Sequence, residues 1–449
     1  MIQTIMNKED VLASLEEKGY ESYLVGGFVR DKLLGRISSD IDIATKARPD
    51  EIKEVFRDKK TIEVGKAFGT IKLIADHKEY EITTFRSDGI YKDKRRPVGV
   101  SFSDSIYEDL KRRDFTINAI AIRNNEIIDP FDGRNDLEKK LIRAVGNPNE
   151  RIEEDYLRAL RAVRFASTLG FEIDGGLKNA IRENSSNISY ISVERQRAEL
   201  DKIILSDNPA RGIRLLEDLD LLGRILPEVA NMVGFDQKSP HHNLDLFEHS
   251  LKVLENVPKD LPTRLAALFH DTGKPDTFFL DENGHGRFFG HQKISEDLAK
   301  NRLKVLKYPN KTIEEVCFLI GRHMDSSNTY SEKSVARLLR KLGDEGLRRL
   351  FDLQEADILA TVHDDISNIE NGRRFLDEII SKEPALSRAD LAINGKDLIK
   401  IGFEEGKVLG YVLDELFKAV FEGDLPNKKD KLLDFASKIG QKLDRKTYE

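Results

Sequence analysis

The stretch LVGGFVRD (24–31) followed by SSDIDIAT (38–45) decides the architecture of the N-terminal part of the chain. YLVGG (23–27) and IDIAT (41–45) are short β-type runs on either side of a helical pattern, FVRDKLL, so a strand, a glycine turn, a helix and a strand are expected in succession. Gly26 and Gly27 at that turn let backbone N–H groups come close to an anion, and Arg30 adds a charge-assisted contact. Asp40 and Asp42 alternate along the second run, which directs both carboxylates to one face of a sheet. Two hard oxygen donors so placed suit divalent cations that also touch a triphosphate and an attacking hydroxyl. Alone, such a pair is most often a solvated strand edge and a glycine pair a tight turn; their order here raises the odds of phosphate chemistry.

Outward from this stretch, TIKLIA (70–75) and EYEITTF (79–85) read as further strands, with helices near 8–18, 28–35 and 50–57. The first 145 or so residues thus predict a mixed α/β domain. After Asn147-Pro148, a cap followed by proline at the first helical turn, strand patterns nearly vanish and long amphipathic periods take over. The expected fold class is an α/β head followed by an all-α remainder, with a boundary near 146 and softer ones near 205, 240 and 370. At about 150 residues per domain, 449 residues predict about three domains or more.

Composition narrows the function classes. Hydrophobic residues at 39%, with 23 Phe and 11 Tyr, supply cores, and 34% charged residues keep the surface polar, so disorder is excluded. The start MIQTIMNKED lacks the apolar run of a signal peptide, and no charge-free stretch approaches the ~18 residues of a membrane helix, so a cytoplasmic protein with no membrane partner is expected. The lone Cys317 lies in an apolar-periodic run and predicts a buried thiol in a reducing compartment. Net charge −7 argues against indiscriminate nucleic-acid coating. Local basic clusters at Lys92–Arg96, Lys111–Arg113 and Lys428–Lys446 would grip a nucleic acid locally.

LVGGFVRD with SSDIDIAT resembles the nucleotidyltransferase motif of class II tRNA nucleotidyltransferases (CCA-adding enzymes) and bacterial poly(A) polymerases, in the polymerase-β superfamily. RRDFTINA (112–119), DPFDGRNDL (129–137) and EDYLRALRAVRF (154–165) follow in the family's order, covering roughly the first 210 residues. The resemblance implies a polymerase-β type head, Mg²⁺ held by Asp40 and Asp42, Arg112 on the nucleotide, and Asp114 on the ribose, favouring NTPs over dNTPs. Glu81, on a neighbouring strand run, is a candidate third acidic neighbour without an assigned role.

Asp155 and Arg158 are three apart in a helical pattern that Arg161 and Arg164 continue, so all four are expected on one helix face. A carboxylate acceptor beside a guanidinium donor matches the Watson–Crick edges of cytosine and adenine. It leaves guanine and uracil with unpaired buried groups at ~1 to 3 kcal/mol each. The protein would then act as template; the family gives these roles to the matching residues and implies that Arg161 and Arg164 hold triphosphate. On an isolated helix the same spacing is a plain ion pair. Residues 85–110, charged and interrupted by Gly and Pro, read as a mobile loop, and a comparable loop is retained in family members that add the terminal A.

A second constellation comprises His249, the doublet His270-Asp271, His291, His323 and Asp357. Imidazoles and carboxylates spread over successive helices can converge on one or two divalent ions, and Gly273-Lys274-Pro275 is expected to end the doublet's helix. His77, His285 and His363 are read as ordinary surface or core residues. The order resembles the HD-superfamily phosphohydrolases, which implies a second divalent metal and hydrolysis of 2',3'-cyclic or terminal phosphates. A helical scaffold that merely holds tRNA is nearly as good a reading.

Together these readings divide the chain into a nucleotidyltransferase head (1–146), a neck with the base-reading helix (147–205), a body (206–240), an HD domain (241–365) and a tRNA-binding tail (366–449). The expected activity is template-independent addition of C, C and A from CTP and ATP to the 3' end of tRNA, with the acceptor arm as partner. A homodimer stays open. The rivals are an A-only adding enzyme, a poly(A) polymerase, an HD phosphohydrolase with an RNA-binding head, and a tRNA-binding scaffold without catalysis.

Overall fold

Alternation of apolar and polar residues in TIKLIA becomes strict alternation of buried and half-buried positions in the strand Thr70–Ala75, one strand in from the edge of the N-terminal sheet. A computed structural model describes residues 6–38, 40–65, 69–87, 101–240, 243–327, 329–362, 364–381, 388–421 and 424–446. Of the expected loop 85–110, residues 88–100 with the basic cluster Lys92–Arg96 lie outside the described residues, as does His363. The described parts depart from a loop: Arg86–Ser87 pairs with Ser101–Phe102, and Ile106–Lys111 is a helix. The chain forms two units: residues 1–230 with 305–307, and residues 231–304 with 308–449.

In the first unit the strands are β1 (Ser22–Val25), β2 (Ile41–Thr45), β3 (Lys60–Gly65), β4 (Thr70–Ala75), β5 (Lys78–Thr84), β6 (Arg86–Ser87), β7 (Ser101–Phe102), β8 (Ala121–Arg123) and β9 (Glu126–Ile128). Seven of them make one mixed sheet in the order β3-β4-β5-β2-β1-β8-β9, and β6 pairs with β7 apart from it. β2 runs parallel to β5, with Asp42 directly opposite Glu81, and antiparallel to β1. The central β1 is buried along its whole length. Its Tyr23 and Val25 pack with Ala44, Phe85, Leu110 and Ala121 in a core that fixes the edge from which Gly26 and Asp42 emerge.

The expected strand YLVGG ends two residues early. Gly26 adopts φ +67° and opens the helix Gly26–Leu33, a conformation that a side chain disfavours. β2 and β4 have the expected bounds, while β3, β8 and β9 were not anticipated. Beyond residue 146 the chain is largely helical, but not wholly. Glu172–Ile173 pairs in parallel with Leu141–Ile142, and Phe279–Leu280 pairs with Gly286–Arg287 in a hairpin. Asn147 caps the helix Pro148–Glu154, accepting from the Asn149 N–H. Cys317 is buried, and burial pushes its thiol up to about 11. Among the described residues no helix is long and apolar enough to cross a membrane.

Candidate functional site

The glycine turn and the second strand meet at one point. A Cβ on Gly26 would stand 2.8 Å from Asp42 Oδ2 and 3.1 Å from Arg113 Nη1, so both the positive φ and the close approach call for glycine. The Gly27 backbone N–H, expected to face phosphate, acts instead to lower the Asp42 carboxyl. Burial, with the neighbouring Glu81 and Asp40, pushes the Asp42 carboxyl up to about 6 against the opposing pull of Arg113. Strand β2 begins one residue after Asp40, which is exposed. A half-buried carboxylate opposed by Glu81, with another acid two residues away, is a donor set that a hard divalent cation fits.

A cleft of about 640 Å³ opens at this point, and Gly26, Gly27, Arg30, Asp42, Glu81, Arg112, Asp114, Asp155, Arg158, Arg161 and Arg164 all line it. Asp40 is not among its lining residues. Arg30 is buried, donates to Asn118 Oδ1 at 2.9 Å and lies over the Phe165 ring at 5.0 Å. Asp114 is buried, accepting from Asn118 Nδ2 at 3.1 Å and from Arg161 Nε at 2.7 Å. Burial would raise its carboxyl, but Arg161 and Asn118 outweigh that and hold it at about 2. Arg164 pairs with the buried Glu199 at 2.9 Å, and burial lowers its guanidinium to about 10.

The single helix expected for Asp155, Arg158, Arg161 and Arg164 is two helices. Asp155 is extended, at φ −153°, between Pro148–Glu154 and Leu157–Leu169. Its Oδ1 accepts from the Leu157 N–H at 3.1 Å and its Oδ2 from Arg195 Nη2 at 2.7 Å. A short acidic side chain that satisfies a first-turn N–H starts a helix rather than continuing one. Arg158 is held by the Arg151 and Arg112 carbonyls and by Glu154. The two residues proposed as a base-reading pair still line the same cleft, Arg158 from the second helix with Arg161 and Arg164, and Asp155 from the break that precedes it.

Several cleft residues escaped the sequence reading: Arg113, Asn118, Arg195 and, behind them, Asp109 and Glu199. Asp109 is 1% exposed and accepts from Arg112 Nε and from Arg113 Nη2, each at 3.0 Å. The available signal was spacing, since Asp109 precedes the two arginines by three and four positions on one helical turn.

The second constellation lies wholly within the second unit. His249, His270 and Asp271 form one group able to share an ion, and Asp271, His291 and His323 another. His249 Nε2 lies 3.1 Å and His270 Nε2 3.6 Å from Asp357 Oδ1, so all six expected residues converge. The Nδ1 atoms of His270, His291 and His323 lie 2.8, 2.8 and 2.7 Å from the carbonyl oxygens of Ala267, Phe288 and Ile320. Each Nδ1–H therefore donates to the chain three residues back, which turns Nε2 toward the carboxylates, His270 Nε2 lying 3.2 Å from Asp271 Oδ2 and His291 Nε2 3.2 Å from Asp271 Oδ1. Against burial, the two aspartates push the His270 imidazole up to about 10. His291 Nε2 and His323 Nε2 then face each other at 3.3 Å, a contact that a proton on one of them or a shared cation would satisfy. His270 Nε2 is buried without a well-directed hydrogen bond. These are marks of a metal-ligand set rather than of a satisfied core.

Lys274 Nζ sits 2.7 Å from Asp271 Oδ2 and donates to Gln237 Oε1 at 2.9 Å. Against burial, the histidines and Lys274 hold Asp271 far below the usual carboxylate range, and His249 and His270 do the same for Asp357. The doublet does not sit on the helix as expected. Leu261–Phe269 ends before it, with His270 as its C-cap, and Gly273 is ordinary in φ. Gly273 is needed for packing, because a Cβ there would stand 2.5 Å from the His291 carbonyl oxygen and 2.7 Å from the Ser295 nitrogen. Gly273→Ala is therefore expected to destabilise the second unit by about 1 to 3 kcal/mol through backbone displacement. Thermal unfolding with a transition within 1 °C of the parent would contradict this packing role. His77 is exposed and His285 half-exposed, and neither belongs to the cluster.

Comparison with known proteins follows the same division. Residues 22–143 match the Poly A polymerase head domain, 170–233 the probable RNA and SrmB-binding site of polymerase A, and 287–436 the putative domain 2 of tRNA nucleotidyltransferases. The CCA-adding enzyme of Geobacillus sp. (strain WCH70) is 33% identical over 94% of both chains. That of Pediococcus pentosaceus is 36% identical over 98% of this chain and 99% of its own. The crystal structure of the Bacillus stearothermophilus CCA-adding enzyme in complex with CTP superposes with a TM-score of 0.69, 31% identity and 97% coverage of each chain. The Thermotoga maritima CCA-adding enzyme complexed with tRNA, at 22% identity and a TM-score of 0.56, shares the fold. With the same fold, the motifs in the same order and a third of its residues identical along nearly the whole length, this chain belongs to the family of CCA-adding enzymes, the tRNA nucleotidyltransferases.

Proposed function

We propose that this chain adds C, C and A in turn to the 3' end of tRNA from CTP and ATP, in the cytoplasm, through the cleft of the first unit. The observation that carries this reading is the cleft itself, where Asp42 and Glu81 face Arg112, Asp114, Asp155 and Arg158. Mg²⁺ bound at Asp40 and Asp42 would supply the charge that stabilises the attacking and leaving oxygens. The chain's own groups do the rest. Arg30, Arg112 and Arg113 offer guanidinium donors to the triphosphate, and the Gly26 turn leaves room for it. Asp114, steadied by Asn118 and Arg161, accepts from the ribose hydroxyls. Asp155 and Arg158 face the base, and Arg195 fixes the Asp155 carboxylate. Head (1–146), neck (147–205), body (206–240), HD region (241–365) and tail (366–449) remain the working division.

The deciding experiment is incorporation of labelled CTP and ATP into tRNA transcripts ending at the discriminator base, at C or at CC. Completion of all three supports the reading. Extension of the CC-ended transcript alone, by one A, would make the protein an A-adding specialist; a long A tract would make it a poly(A) polymerase. In the same assay, Asp114→Ala is expected to narrow the preference in kcat/KM for CTP over dCTP by about tenfold, equivalent to one unmade buried hydrogen bond of ~1.4 kcal/mol. An unchanged ratio would remove Asp114 from ribose recognition.

The histidine–aspartate cluster favours a second activity, an HD-type phosphohydrolase acting on 2',3'-cyclic or terminal phosphates with a divalent ion bound there. Hydrolysis of 2',3'-cyclic nucleotides with added Mg²⁺, Mn²⁺ or Ni²⁺ tests it, and no turnover with any of these ions would leave the cluster a structural element.

A further inference from the structure

Asp109 is a carboxylate that neither motif nor family likeness singles out. It sits on the helix Ile106–Lys111, 1% exposed, behind the wall of the cleft. Its Oδ1 accepts from Arg112 Nε at 3.0 Å and from the backbone N–H of Arg86 at 3.2 Å; its Oδ2 accepts from Arg113 Nη2 at 3.0 Å. Arg86, Arg112 and Arg113 all line the cleft, while Asp109 does not. Arg113 also reaches the Asn118 carbonyl at 3.4 Å, and its charge acts on Asp42. One buried anion thus sets the direction of two guanidinium planes and anchors the backbone beside them. A buried carboxylate without such donors would be costly, so the arrangement is mutually enforced.

Charge and orientation predict opposite consequences here. As an anion, Asp109 weakens the positive potential of the cleft, so on charge alone its neutralisation would tighten triphosphate binding. On orientation, its loss frees two long side chains that must be ordered anew at every binding event. We infer that Asp109 is a positioning residue, holding Arg112 and Arg113 in the geometry that receives the phosphates of the incoming nucleotide. The inference rests on the reading of the cleft as the CTP and ATP site. Orientation dominates because a planar guanidinium discriminates by direction, whereas the added charge acts the same way on any nearby anion.

The experiment measures KM and kcat for CTP and ATP, on transcripts ending at the discriminator base and at CC, for the full-length protein and for Asp109→Asn. Asparagine preserves shape and removes the charge. The expected result is a rise of about tenfold in KM for both nucleotides, with kcat within about threefold and a cooperative thermal transition retained. A folded Asp109→Asn protein with KM at or below the parental value overturns the inference, since a merely structural or charge-balancing carboxylate gives that result. If Asp109→Asn does not fold, Asp109→Glu keeps the charge and displaces it by one methylene. A smaller rise in KM is then expected, and an unchanged KM overturns the inference. Parental protein that incorporates neither nucleotide overturns the reading of the cleft and the inference with it, whereas parental turnover with an unmoved KM overturns the inference alone.

Discussion

Asp42→Ala is expected to lower incorporation of both CTP and ATP by about a thousandfold or more, a loss of about 4 kcal/mol of transition-state stabilisation. The fold should survive it. Asp42 is pushed up to about 6 by burial, Glu81 and Asp40, so in the native state this carboxylate is held against its own electrostatics. Its removal relieves that repulsion and costs Arg113 one attractive neighbour, while Asp109 still holds that guanidinium. The thermal transition is therefore expected within a few degrees of the parent. The measurement is initial-rate incorporation on all three transcript ends beside a melting curve. Activity within tenfold of the parent would remove Asp42 from the reacting centre, and a collapsed melting curve would assign it to the fold instead.

The second large effect belongs to the histidine–aspartate cluster. After treatment with a chelator, addition of Mn²⁺ or Ni²⁺ is expected to raise the unfolding temperature of the second unit. An ion at a hundred times its dissociation constant stabilises the state that binds it by about 2.7 kcal/mol, or roughly 5 to 10 °C for a unit of this size. The donors are already aimed, with His291 and His323 presenting Nε2 to each other at 3.3 Å and His270 Nε2 lacking a directed bond. Asp357→Asn keeps the shape of the side chain and should lose most of the shift, because it removes the anion that His249 and His270 share. No metal-dependent shift in the parent, checked by calorimetric titration of the chelated protein, would show that the cluster holds no ion.

Much of this was legible in the sequence because the signals are local. β2 and β4 follow from period-two runs of apolar residues, and their bounds coincide with the structure. The six residues of the second constellation stand out because one His-Asp doublet flanked by single histidines and a later aspartate, each in a helical run, follows the order of the HD phosphohydrolases. What stayed hidden depends on partners far along the chain. β8 and β9 have three residues each and are strands only because β1 offers an open edge for Ala121 and Ile122. The break at Asp155 was overlooked because the Glu-Asp-Tyr-Leu pattern is compatible with a continuous helix; the decisive contact, Arg195 to Asp155, joins residues forty positions apart. Asp109 fell inside the charged stretch 85–110 read as a mobile loop, although it sits on the helix Ile106–Lys111, because burial cannot be read from charge. Gly273 was assigned to a helix stop when its role is to leave space for the helix that His291 begins.

The anchoring of three imidazoles to carbonyls three residues behind them carries one more consequence. Each anchor is made within a single local segment, so the tautomer of His270, His291 and His323 is settled as soon as that segment folds. The Nδ1 protons can therefore stay in place when an ion arrives, and only a proton held at Nε2, as on His270 beside Asp271 and Asp357, has to leave. The orientation of the cluster is thus written into the backbone, and an ion bound as proposed would meet rings already turned toward it.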